Sequence, residues 1–91
     1  MKKPTELQLK LMFKIIEDDY TEFNGNAKAI LESNDENETT TWASSILETA
    51  QDKGTFTSLL NADLVWHTSE GRDSKVGLTK TGFEVVKEFY V

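Results

Sequence analysis

The sequence predicts a single α+β domain over residues 1–91, with helices first and a β-hairpin closed by a final helix. Three observations predict it. Phe56, Leu59 and Leu60 fall at i, i+3, i+4, so Thr55–Ala62 has one apolar helical face. Leu64-Val65-Trp66 and Val76-Gly77-Leu78 are two short β-prone runs. The polar stretch Thr68–Ser74 separates them and offers Gly71 for a positive φ. After the second run, Thr79 can cap a helix whose Phe83, Val86, Phe89 and Tyr90 recur at helical spacing.

The N-terminal half reads as helical. Thr5-Glu6-Leu7-Gln8 is a capping box just after Pro4. Leu9, Met12, Phe13, Ile16, Tyr20 and Phe23 follow as an apolar stripe, which Leu11 and Ile15 widen. Asn24-Gly25-Asn26 marks a break before a short helix over Ala27–Glu32; one helix running unbroken to Ser33 is the competing reading. Asn34–Thr39 is a polar, acidic loop. It is not a calcium loop, because a loop starting at Asp35 would place Thr40 and Ile46 where Gly and Glu are required. Thr40 or Thr41 caps the next helix, whose stripe is Ala43, Ile46, Leu47 and Ala50. Trp42, at its start, is expected to pack on the Phe56–Leu60 face. Gln51-Asp52-Lys53-Gly54 then reads as a tight turn into Thr55–Ala62. Two helices joined by a short turn containing Gly form a helix-turn-helix pattern.

TFTSLLNADLVW resembles the end of a recognition helix running into the first wing strand of small winged helix-turn-helix proteins. SEGRDSKVGLTKTGFEVV resembles their wing, followed by the LT-x-x-G start of a closing helix. Counting Trp42–Ala50 as the preceding helix, the resemblance covers about 45 residues. One departure stands out. Asp63 occupies the helix-to-strand turn where that family usually has Gly, and Asp is among the residues that tolerate the left-handed region. The resemblance implies a winged-helix fold and duplex-DNA binding through the helix at 54–62 and the wing at 68–75.

Composition limits the other classes. There is no cysteine, so disulfides, thiolate catalysis and cysteine-based zinc sites are excluded. No apolar run approaches the ~20 residues of a membrane helix, and Lys2-Lys3 is followed by no apolar signal-peptide core. The reading is a soluble, cytoplasmic protein. His67 is the only histidine, and no HxxxH, HExxH, GxGxxG or P-loop spacing occurs. An enzyme, a metal centre and a cofactor are therefore not expected. Net charge is −6, and the excess is local: Asn34–Asp52 holds five acids and no base, while Lys53–Val91 balances five of each. No basic footprint for nucleic acid stands out.

With Phe56, Leu59 and Leu60 assigned to the core, Thr55, Thr57, Ser58 and Asn61 are left for contact, with Lys53 at the helix start. Hydroxyls and amides reach phosphates or base edges, and a lysine at a helix N-terminus suits a phosphate. Arg72 and Lys75 flank the wing tip. The expected DNA-contact set is Lys53, Thr55, Thr57, Ser58, Asn61, Arg72 and Lys75. The alternative is a protein-binding winged helix, a recruiter or inhibitor, including an acidic mimic of a phosphate backbone built on Glu32–Glu38 and Glu48–Asp52. A homodimer is expected through the first and last helices, because Leu11, Ile15 and Phe89-Tyr90-Val91 exceed what one small core needs.

Overall fold

In a computed structural model, which describes residues 4–18, 26–33, 39–68 and 74–90, the first helix, α1, spans Glu6–Glu17 and opens with the expected box. The Thr5 hydroxyl accepts from the Gln8 N–H at 3.2 Å, and the Thr5 N–H donates to Gln8 Oε1 at 2.9 Å. Leu11, Met12, Ile15 and Ile16 are buried, and Leu9 and Phe13 pack against them. The helix α2, Ala27–Ser33, starts where the Asn26 side chain accepts from the Ala29 N–H, so α1 and α2 are separate helices. The Asn24-Gly25 part of the predicted break lies outside the described residues, as does the acidic stretch at 34–38.

Two predicted boundaries are corrected between residues 40 and 54. Thr41–Trp42 is a strand, β1, rather than the start of a helix, and α3 is the single turn Ala43–Ile46. Neither Thr40 nor Thr41 caps α3; Trp42 holds that position without a side-chain bond. The next helix, α4, spans Ala50–Asn61, so Gln51–Gly54 is helical and is not the turn. The local reason is a second capping box. Thr49 Oγ1 accepts from the Asp52 N–H at 3.0 Å, and Asp52 Oδ2 accepts from the Thr49 N–H at 3.3 Å. These bonds satisfy two of the orphan donors of a helix start, which offsets the poor propensity of Gly54 in the next turn.

Strands β2 (Val65–Thr68) and β3 (Lys75–Leu78) pair antiparallel, and β1 adds to the far side of β3, giving the order β1-β3-β2. One sheet face carries Thr41, Val65, Val76 and Leu78, all buried against α1, α4 and the closing helix α5, Lys80–Phe89. The other face carries Trp42, Lys75, Thr68, Gly77 and Trp66. The core is thus one layer of helices on one side of a small sheet, with α1 touching α2, α3, α4, α5 and β3.

The turn from α4 into β2 is tied to the start of α5. Asp63 sits at φ 59°, as the missing glycine requires. Its carbonyl accepts from the Thr79 hydroxyl at 2.7 Å, and the Leu64 carbonyl accepts from the Thr79 N–H at 3.2 Å. Thr79 also accepts from the Gly82 N–H, capping α5 as expected. A Cβ on Gly82 would fall 1.8 Å from the Leu64 carbonyl oxygen. The LT-x-x-G motif is therefore a packing requirement, since α5 crosses the turn backbone at that glycine.

Two expected core contacts are corrected. Trp42 is 40% exposed on the outer sheet face and does not hold α3 to α4. Leu60 is 39% exposed, because Phe56 and Leu59 already fill the inward face of α4. Conversely, Leu11 and Ile15 are interior, at 5% and 0%, and Tyr90 packs edge-on against Phe13 with ring centroids 5.0 Å apart. The apolar surplus that motivated the homodimer is largely covered within one chain; Val91 lies outside the described residues.

Candidate nucleic-acid interface

The fold divides the expected contact set in three. Lys53, Thr57 and Asn61 are exposed along the outward side of α4, spaced by four residues and therefore on one face. Ala50, Gly54 and Leu60 are exposed with them. Thr57 Oγ1 donates to the Lys53 carbonyl at 2.9 Å, leaving its lone pairs to accept. Lys53 is in the second turn of the helix, not at its start, so it acts as a side-chain cation and not as part of an N-terminal anion site.

Thr55 and Ser58 belong to a different flank. Ser58 is half-buried, donates to the Thr55 carbonyl at 2.6 Å and accepts from Gln8 Nε2 of α1 at 3.0 Å. Thr55 lines an open groove of about 270 Å³ between α1 and α4, with Leu7, Lys10, Leu11, Lys14, Gln51 and Asp52. Across its mouth Lys14 Nζ lies 3.8 Å from Glu48 Oε2, an exposed pair of little energetic weight. The Ser58 hydroxyl thus serves the α1–α4 packing, and Thr55 faces the groove between those helices.

Lys75 is on β3, with its ammonium 5.6 Å from the centroid of the Trp42 ring. It faces out from the sheet rather than along α4. Arg72 and the rest of the wing tip, residues 69–73, lie outside the described residues. His67 is an exposed residue of β2 with its ring edge-on to Phe56, centroids 6.1 Å apart. Among the described residues, no three His, Asp or Glu side chains are grouped to hold a metal ion. No helix among them is long and apolar enough to cross a membrane.

The charge on α4 is uneven. Its single acid, Asp52, is half-buried and folded back onto Thr49, and the next acid in the chain, Asp63, lies beyond the helix. The exposed side of α4 therefore bears one cation and no carboxylate, in a chain of net charge −6. That pattern was hidden in the sequence by the misplaced helix start. The Thr49-x-x-Asp52 spacing was the signal that reveals it.

Comparison with known proteins gives no match: no protein-family model, no curated protein and no solved structure matches this chain.

Proposed function

We propose that this is a winged helix-turn-helix protein of the cytoplasm that binds duplex DNA as a transcriptional regulator, presenting α4 to the major groove. The helix pair α3–α4, the β2–β3 hairpin and the closing α5 follow the order that the family resemblance implies. The observation that carries the reading is the carboxylate-free outward side of α4. Lys53 supplies a phosphate contact, while Thr57 and Asn61 supply hydrogen-bonding groups for phosphate or base edges. Thr55 and Ser58 support α4 from the α1 side instead of touching DNA. Arg72, at the wing tip, supplies the second phosphate or minor-groove contact.

Few phosphates are neutralised in this arrangement, so the dependence of affinity on salt is shallow, with a slope on the order of −2 per chain. Binding of labelled duplexes across a salt series tests it. Lys53→Ala is expected to weaken all duplexes alike and flatten the slope by about one, and Asn61→Ala to alter sequence preference. No duplex binding at low salt overturns the reading. A protein partner on the same face is the second reading, and Leu60, 39% exposed beside Thr57 and Asn61, is the observation that favours it. A lost interaction with Leu60→Ser but not Lys53→Ala would identify that case.

A further inference from the structure

The outer face of the sheet holds two large aromatics where a one-sided sheet ordinarily presents polar side chains. Strand register sets them in two rows. Trp42, Lys75 and Thr68 are direct neighbours across β1, β3 and β2, and Gly77 and Trp66 form the next row. Directly opposed residues in antiparallel strands share a face and touch. An ideal Cβ on Gly77 would lie 2.4 Å from Trp66 Cζ2, 2.6 Å from Cε2 and 2.8 Å from Nε1. The nitrogen-bearing edge of the Trp66 indole therefore sits directly over Gly77 on β3, in the space that a side chain there would fill. Any residue larger than glycine at position 77 would lift it.

Beside this ring, the Lys75 ammonium is held over Trp42 by a cation–π contact. Lys75 and Gly77 are two residues apart on one strand, about 7 Å, which is the order of the reach from a nucleobase to a phosphate of its own strand. None of the five residues described on the face is acidic, and one of them is a lysine. A half-buried indole beside an exposed one, with a cation about one base-to-phosphate step away, has the chemistry of a single-strand stacking platform. A duplex keeps its bases stacked inward and offers nothing to such a ring.

We infer that the outer sheet face binds single-stranded nucleic acid, with a base stacked on Trp66 and an adjacent phosphate at Lys75. This surface is separate from the outward side of α4 and does not depend on the duplex reading. The chain has two tryptophans and both lie on this face, so intrinsic fluorescence reads the site directly. Titration of the full chain at low salt with deoxyuridine and uridine homopolymers is expected to quench the emission; the tighter of the two identifies the sugar. A mixed-sequence duplex is expected to leave it unchanged. By anisotropy of a labelled homopolymer, Trp66→Ala is expected to weaken affinity on the order of ten- to a hundredfold. Lys75→Ala should reduce the salt slope by about 0.7. Lys75→Glu, at a half-exposed position with its fold checked by circular dichroism, is expected to abolish binding and keeps the test decisive if Trp66→Ala fails to fold. Failure of both homopolymers to quench at low salt overturns the inference. So does wild-type affinity in folded Lys75→Glu, or competition by duplex that displaces the homopolymer completely.

Discussion

Gly82 and Gly54 both sit inside helices, and they are opposites. A methyl group on Gly82 would strike the Leu64 carbonyl, whereas one on Gly54 would meet nothing within 4 Å among the described residues. The first glycine is explained by the fold: it lets α5 cross the α4–β2 turn closely enough for Thr79 to bond Asp63 and Leu64. The second costs helix stability and gains no contact with the described residues. Residues that the fold requires and residues that it merely tolerates can thus be told apart by what surrounds them. The tolerated one, Gly54, lies on the side of α4 proposed for DNA contact.

The strongest way to break this comparison is Gly82→Ala, for which a loss of about 3 kcal/mol is expected, since backbone and not a flexible side chain must move. An unfolding free energy from urea titration lowered by less than a third of that would mean the crossing is loose. Gly54→Ala has the opposite sign and sharpens the contrast. Stability should rise by up to about 1 kcal/mol, while duplex affinity falls because the added methyl stands between α4 and the groove. Affinity that holds steady as stability rises would move the interface away from Gly54. Next is Thr49→Ala, expected to cost about 1 kcal/mol through loss of the cap. If α4 began at Thr55, as the sequence reading had it, this substitution would be silent.

The smallest effect concerns pH. The Tyr90 phenol donates to Glu17 Oε2 at 3.1 Å, and partial burial, then that bond and the nearby carboxylate, hold its pKa above the ordinary 10.0. A raised phenol favours the protonated form in the folded chain. Its contribution to stability is therefore complete below pH 10.0 and is lost as pH climbs from there through the raised value. Thermal midpoints should fall over that alkaline range more for the wild type than for Tyr90→Phe, which lacks the group.

Much of the architecture was legible wherever the signal was local. The Thr5–Gln8 box, the Thr79 cap, the two hairpin strands and the left-handed Asp63 all follow from neighbouring residues. What was not legible depended on distant partners. β1 is two residues long and exists because Thr41 and Trp42 meet Val76 and Lys75; no periodicity can announce it. Thr39 looks like loop, yet it is fully buried and its hydroxyl accepts from the Leu78 N–H at 3.0 Å, carrying the sheet one bond further. Glycine usually interrupts a helix, so in the sequence Gly54 masks the capping box that begins five residues earlier. Three of the five α4 positions, Lys53, Thr57 and Asn61, share one exposed face all the same, since a four-residue spacing is unaffected by where the helix begins. Ser58 and Thr55 do not, because which flank faces α1 is set by packing alone.

The central place of α1 has a consequence for how the chain is made. α1 leaves the ribosome before the elements it packs on: its apolar face has partners on β3, α4 and α5, some 40 to 75 residues downstream. Contacts at such separation form late and slow the search for the native state. Until Phe83, Val85 and Val86 arrive, Met12, Ile15 and Ile16 lack part of their cover, and the nascent chain exposes an oily helix to whatever binds such surfaces. A chain arrested before Lys80 should therefore remain sensitive to protease along α1, and emergence of α5 should mark the moment at which that sensitivity disappears.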